Sequence, residues 1–416
     1  QNMSDNMPPF LSYGRQQIDD DDVAAVAACL RSDWLTTGPQ IDAFEAELAQ
    51  RLSVPHVIVC SSGTSALHLA CLAAGLGPGT VAIVPSLTFV ATANAVRFAG
   101  AEVVFSDVDP LSGLMRAQDL ENAIARQRDA YPDLPLIAAL PVHMNGQTAD
   151  MDALRDVANN AGIRLIEDAC HALGAEHEIA VEGASREWRP VGSCQAGWAA
   201  CFSFHPVKSI TTGEGGAVVL RDDAAAARIR RLRNHGLEPA GQEDARLPEG
   251  LGPNGDYPGA YGMSEIGFNY RITDIQCALG RSQLAKLDGF VARRRALAAH
   301  YDTALPRLGD LVSRINWDAR CRPAYHLYPV QIGPDAGLAR GAIMQGLREQ
   351  GIGTQVHYIP VHRQPYYADR YGVAELPGAD AYFDRVISLP IFVDMTLADV
   401  DRVVDALGEV LVGAAA

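Results

Sequence analysis

Residues 202–219, FSFHPVKSITTGEGGAVV, set a lone lysine, Lys208, between two strand-like runs, with hydroxyl residues and three glycines behind it. A solvated surface lysine needs no such surroundings. An amine that must reach a bound carbonyl does, because glycine lets backbone and ligand approach closely. A lysine that forms a Schiff base has to lose its proton near neutral pH, which desolvation and neighbouring positive charge promote. Ser203 stands five residues before it.

Three other stretches carry chemistry of a compatible kind. SSGTSALHLACLAAG, 61–75, follows a strand-like run and opens a helix-like one. Small residues at that junction leave backbone N–H groups free to hold a phosphate at the positive helix end, although Ser and Thr also cap helices with no ligand present. LIEDACHALGAEH, 165–177, puts Glu167, Asp168 and His171 at the end of an apolar run. An aspartate there costs desolvation energy unless a cation or several donors satisfy it. The protonated ring nitrogen of a pyridoxal cofactor is one such partner, and a helix-capping Asp beside a satisfied His is the other reading. VPSLTFVATANA, 84–95, supplies Phe89, either a ring for stacking or plain core.

The elements that must position these residues follow an alternating pattern. Strand-like runs at 57–60, 81–86, 103–108, 136–142, 165–170, 198–204 and 215–220 are separated mostly by helical stretches. That pattern predicts an α/β fold whose mostly parallel seven-stranded sheet is covered on both faces. Ligands of such sheets bind outside the carboxyl ends of the strands, where all four stretches fall. Residues 236–262, rich in Gly and Pro, read as a long loop. The pattern from 273 to 305 is helical, as two helices or one bent one. Beyond about 310, strand runs (YHLYPVQI, TQVHYIP) and helices (ARGAIMQGLREQG, LADVDRVVDALGEVL) predict a smaller α+β domain. The expected organisation is an N-terminal arm over 1–20, a large domain over 21–285 and a small C-terminal domain over 286–416.

Bulk properties exclude several functions. With 416 residues, the chain is longer than one core usually serves. A formal net charge of −16 argues against nucleic-acid or anionic-membrane binding. No apolar run reaches membrane-span length and the N-terminus lacks a signal-like segment, so a cytoplasmic protein is expected. The eight cysteines form no C-x-x-C pair and read as buried free thiols. The aspartates at 19–22 suit a helix N-terminus better than a metal, being consecutive.

The order of the motifs resembles that of the fold-type-I (aspartate aminotransferase-like) pyridoxal-phosphate enzymes, specifically the sugar-nucleotide aminotransferases of the DegT/DnrJ/EryC1/StrS family. The likeness runs from LTTGP at 35–39 to ISLP at 387–390, and is carried by EDACHALG, FSFHPVKSITTGEGG and GFNYRITDIQCALG. A narrower resemblance, through SYGRQ, FVATAN, FHPVK and QVHYIPV, is to the aminotransferases of pseudaminic acid synthesis.

The resemblance implies that Lys208 holds pyridoxal 5′-phosphate covalently and moves protons, with Asp168 on the pyridine nitrogen. His171 takes the place near the ring hydroxyl where many relatives have Gln. Phe89 matches the stacking ring, and Gly63, Thr64 and Ser203 match the phosphate cup. Asn269 matches a residue reaching the phosphate of a second subunit, which implies a homodimer with shared sites. Arg271 is either a binder of the donor carboxylate or sugar nucleotide, or a structural ion pair. Thr36, Thr37, Tyr325, His326, His357 and Tyr358 fall where relatives touch the nucleotide sugar.

The implied reaction moves an amino group from L-glutamate, leaving 2-oxoglutarate, to C4 of a UDP-linked 4-keto-6-deoxy-N-acetylhexosamine. A different GDP- or dTDP-linked 4-keto sugar is the alternative. C3 deoxygenation is disfavoured because relatives of that type replace the lysine with histidine. A nicotinamide-dependent reductase would want G-x-G-x-x-G, whose spacing SSGTSA lacks. A non-catalytic regulator would have little need of Lys208, Asp168 and Ser203 together. Residues 176–193 and 236–262 look longer than in compact relatives.

Overall fold

The computed structural model describes residues 9–181, 185–242, 245–252 and 254–413. Residues 1–8 of the expected arm, and 182–184, 243, 244 and 253 of the two long stretches, lie outside them.

Seven strands form the central sheet: β1 (His56–Cys60), β2 (Val81–Pro85), β3 (Glu102–Ser106), β4 (Leu136–Ala139), β5 (Arg164–Asp168), β8 (Ala199–Ser203) and β9 (Gly216–Leu220). Their spatial order is β1-β9-β8-β5-β4-β2-β3. All neighbouring pairs are parallel except those made by β9, which runs against β1 and β8. The runs are apolar nearly throughout because both faces are covered. Alternate residues serve two cores: Ile58, Cys60, Val218 and Leu220 face one, Val57, Val59, Ala217 and Val219 the other.

The register explains why residues distant in sequence meet. Gly216, which begins β9, pairs with both Cys60 at the end of β1 and Ser203 at the end of β8. Asp168 ends β5 level with Cys201 of β8. The carboxyl ends of three strands therefore open on one place.

Helices α1 (Asp20–Leu30), α2 (Pro39–Leu52), α3 (Gly63–Ala74), α4 (Ala91–Phe98), α5 (Ala117–Ala130), α6 (Met151–Ala161) and α7 (Asp223–Arg233) accompany this sheet. As expected, the aspartates begin α1: Asp19 caps it, and Asp22 closes a capping box. The helical pattern after 273 is two helices, α8 (Asp274–Ala285) and α9 (Leu287–Ala304), which part at Lys286.

A third core gathers β12 (Val312–Arg314), β14 (Tyr328–Ile332), β15 (Val386–Leu389), α9, α10 (Arg340–Glu349) and α13 (Leu397–Gly413), with Leu11 from the N-terminal segment. Tyr367 of α11 (Pro365–Tyr371) and Tyr382 of α12 (Pro377–Arg385) instead join the first core of the large sheet.

Two stretches differ from expectation, and 176–193 takes a form the sequence did not specify. The run TQVHYIP is not a strand: only Gln355 pairs, with Ser388 of β15. After that pair the chain leaves the small sheet and crosses to the large one, where Val361 N donates to Ser86 O at 2.8 Å. Its alternation of polar and apolar residues serves a cleft, not a ladder. The loop 236–262 is closed by a short antiparallel ribbon, β10 (Leu237–Pro239) against β11 (Tyr261–Met263). Within 176–193, β6 (Glu176–Ala180) and β7 (Arg186–Pro190) form a hairpin, and β6 also pairs with β13 (Cys321–Arg322).

Candidate active site

A cleft of about 610 Å³ lies at the carboxyl ends of β1, β2, β5 and β8. Gly63, Thr64, Phe89, Asp168, His171, Ser203, Lys208, His326, His357 and Tyr358 all line it. Ten of the residues expected from sequence are thus brought together.

The phosphate cup is built by α3. Ser62 and Ser65 cap it reciprocally, Ser65 N donating to Ser62 Oγ at 3.1 Å and Ser62 N to Ser65 Oγ at 2.9 Å. Capping and anion binding are therefore not alternatives: the serines hold the helix start, while the first-turn amides of Gly63 and Thr64 have no intrahelical acceptor. Gly63 has to be glycine. A Cβ there would stand 2.8 Å from Ser203 Cβ and would fill the cup between α3 and β8.

Asp168 is almost fully buried. Its Oδ2 accepts from Thr92 Oγ1 at 2.7 Å and its Oδ1 from Cys170 N at 3.2 Å. Thr92 has one hydroxyl proton, so the 2.7 Å contact from Thr88 Oγ1 makes Thr88 the next donor in the chain. Each carboxylate oxygen keeps lone-pair capacity for a cationic ring N–H. Phe89 is half-exposed on the cleft wall, its ring 5.7 Å from that of Tyr358.

His171 Nδ1 accepts from Asn145 N at 3.3 Å, which leaves Nε2 as the donor to Tyr358 OH at 3.1 Å. Burial, with the charges of Lys208 and His357, holds its pKa well below the ordinary imidazole value. The loop after Lys208 is tied by its own hydroxyls. Thr211 Oγ1 donates to Phe204 O at 3.1 Å, and Thr212 Oγ1 to Glu214 O at 2.8 Å. Burial lowers the pKa of Lys208 itself, against the opposing charges of Cys170 and Asp168. An amine so placed gives up its proton more readily than a solvated one. The chain has only one other lysine, Lys286, which pairs with Asp19 and Asp22.

Five expected residues are not brought to this cleft. Thr36 bridges Thr273 through its backbone, and Asn269 bridges Asn234. Thr37 and Arg271 line a separate cavity of about 380 Å³ with Arg230, Arg231 and Arg233. Arg271 Nη1 donates to Asn234 Oδ1 at 2.7 Å, a contact with a neutral amide rather than an ion pair. Tyr325 packs against Trp317, ring centroids 4.7 Å apart.

The structure adds Tyr13, Gln355 and Gln364 to the lining and Thr92 behind Asp168. Thr92 sits one helical turn after Phe89, a spacing that was readable. Nothing local marks Tyr13, which reaches the cleft because Leu11 bridges Ile352 and Ile391 N donates to Tyr13 O.

A desolvated amine and a strand-end carboxylate lining one cleft beside the start of a helix is the arrangement of the fold-type-I pyridoxal-phosphate transaminases. Comparison with known proteins narrows the class: residues 16–408 match the DegT/DnrJ/EryC1/StrS aminotransferase family, to which the chain belongs. Among similar solved structures is PseC of Helicobacter pylori, an aminotransferase involved in the biosynthesis of pseudoaminic acid. The two are 26% identical with a TM-score of 0.83, over 97% of this chain and 100% of that one. DesV of S. venezuelae is 33% identical with a TM-score of 0.80, over 97% and 98%. A family member from Brucella abortus is 30% identical with a TM-score of 0.79, over 93% and 94%. The protein is a pyridoxal-phosphate-dependent sugar aminotransferase. The residues present fit the cofactor: a cup that a Cβ would fill, a buried carboxylate with spare lone pairs, an exposed ring and a desolvated amine.

Proposed function

We propose that this enzyme transfers the amino group of L-glutamate to C4 of a UDP-linked 4-keto-6-deoxy-N-acetylhexosamine, in a pathway to a pseudaminic-acid-type surface glycan. The observation that carries the chemistry is the convergence of Lys208, Asp168 and His171 on one cleft. The sugar rests on the likeness to PseC.

When bound, the cofactor supplies an aldehyde that receives the amino group and a ring that stores the electrons left by proton removal. The amides of Gly63 and Thr64 and the Ser203 hydroxyl hold its phosphate. Phe89 would stack on its ring, and Asp168 would keep the ring nitrogen protonated. His171, neutral and tethered to Tyr358, would donate from Nε2 beside the ring hydroxyl. Lys208 Nζ takes the proton from the donor's α-carbon and later delivers one to the sugar's C4, so the face it occupies sets the new stereocentre. Holding ketone and amine together provides much of the rate. His326, His357 and Tyr358 offer the sugar neutral hydrogen-bonding groups.

The enzyme works as a homodimer with shared sites, in the cytoplasm. Asn269 and Arg271 stand away from their own cleft, as residues serving a second copy's phosphate or substrate would. Thr36, Thr37 and Tyr325 are assigned to the nucleotide sugar on the same footing. Eight free cysteines suit a reducing compartment. The large domain is assigned an end at 285, where Lys286 separates α8 from α9, with α11 and α12 packing back on its sheet.

The test offers the pyridoxamine-loaded protein a panel of UDP-, GDP- and dTDP-linked 4-keto-6-deoxy sugars and follows return of the visible cofactor band. Return with the UDP-N-acetyl sugar alone is expected. Return with a GDP- or dTDP-linked sugar instead would move the assignment to the other nucleotide.

A further inference from the structure

The cleft contains a base to which the proton transfers described above give no part. His326 Nε2 lies 3.5 Å from Lys208 Nζ, the one hydrogen-bonding partner of that amine among the described residues. Its other nitrogen, Nδ1, is buried without a partner. The ring packs against His171, with centroids 4.4 Å apart.

Backbone contacts fix this ring. Buried Arg294 Nη1 donates to the carbonyls of Tyr325, His326 and Ile391 at 3.1, 3.3 and 3.0 Å. Ala324 N and Leu327 N donate to the carbonyls of Gly146 and Asn145 at 2.9 and 3.3 Å. Gly146, at φ +93°, admits no side chain, since a Cβ would stand 2.9 Å from both His326 N and His171 O. The turn at 145–146 therefore sets both imidazoles, Asn145 N holding His171 as well.

Elementary chemistry then places the protons. A protonated lysine amine can only donate, so Nε2 accepts and the ring proton sits on Nδ1, where it meets no acceptor. An unsatisfied buried N–H destabilises a fold, and an apolar ring of the same size would avoid that cost. The charged and titratable groups facing His326 are Lys208 after β8, His171 after β5, Arg294 on α9 and His357 on the 354–360 segment. With burial, they hold His326 well below the ordinary imidazole pKa. Asp168, the nearby carboxylate, favours a charged Lys208 and already accepts from Thr92.

We propose that His326 is a positioning base for Lys208: its Nε2 accepts one N–H of the amine, fixing the rotamer and aiming the remaining lone pair or transferable proton at the ligand. The histidine makes and breaks no bond to carbon, and the proton in transit stays on Nζ. This inference rests on the reading of Lys208 as the reacting amine.

The test measures the amine itself. In the full-length protein freed of cofactor, competitive acetylation of Lys208 across pH, read by peptide mass spectrometry, gives its apparent pKa. His326→Leu removes the acceptor for the charged form and should lower that pKa by about one unit. His326→Gln, whose amide oxygen accepts without titrating, should retain most of the wild-type value. In the loaded enzyme, His326→Leu should lower kcat roughly ten- to hundredfold, with KM unchanged and a larger isotope effect on α-deuterated glutamate, and His326→Gln should recover most of the loss. If His326→Leu does not fold, His326→Asn, whose amide is too short to reach Nζ, replaces it with the same expected shift. A Lys208 pKa that stays put or rises when the acceptor is removed would overturn the proposal. Failure of the wider reading looks different: Lys208 would titrate as described yet never take up pyridoxal phosphate.

Discussion

Glu167 and Asp168 are adjacent on β5 and both buried, yet alternation along the strand sends their carboxylates to opposite faces of the sheet. Glu167 is closed off. His143 Nδ1 accepts from Ala149 N at 3.2 Å, so His143 Nε2 donates to Glu167 Oε2 at 2.8 Å, with both side chains sealed from solvent. Asp168 faces the cleft, held by Thr92 and Cys170 and still able to accept more. Burial alone does not mark a site. What separates the two carboxylates is where they face: Glu167 is sealed against His143, whereas Asp168 opens on the cleft.

Substitutions can break that contrast. Asp168→Asn keeps the shape and removes the charge, and should lower kcat by roughly 10³-fold, about 4 kcal/mol of transition-state stabilisation, with little change in melting temperature. Glu167→Leu should do the reverse. It leaves the His143 N–H without an acceptor, so denaturant titration should show a loss of about 2 kcal/mol while pyridoxal phosphate still binds.

Acid sharpens the contrast further, because the cleft holds histidines kept neutral. Burial, helped by the charge of Lys208, lowers the pKa of His357 from 6.5 to about 3. Between those values the unfolded chain binds the proton and the folded chain does not. Stability is therefore complete above pH 6.5 and falls as pH drops, by about 1.4 kcal/mol per pH unit for this residue. His357→Gln should flatten that part of a melting-temperature profile. An unchanged slope would show that the imidazole is not held neutral.

Much of the fold was legible because the seven strand runs are apolar on both faces and four of them lead into the stretches that line the cleft. The aspartates opening α1 and the break between α8 and α9 were equally local signals. What escaped was set by partners far away in sequence. TQVHYIP has the composition of a strand, but β15 offers it one pair and the cleft takes the rest. β10 and β11 are too short to announce themselves inside a Gly/Pro-rich loop. Tyr13 enters the site only through the anchoring of Leu11 on Ile352. Asn145 carried a readable cue, since Asn-Gly marks a turn, but nothing in HMNGQ tells that the turn seats two imidazoles.

With two lysines in the chain, one already paired to Asp19 and Asp22, the decisive measurement is simple. The holoenzyme is reduced with borohydride and the cofactor located by peptide mapping. The account predicts pyridoxyl label on Lys208 alone, together with a visible absorbance that glutamate bleaches and that Lys208→Ala lacks. Label on Lys286, or a visible band that survives Lys208→Ala, would contradict it.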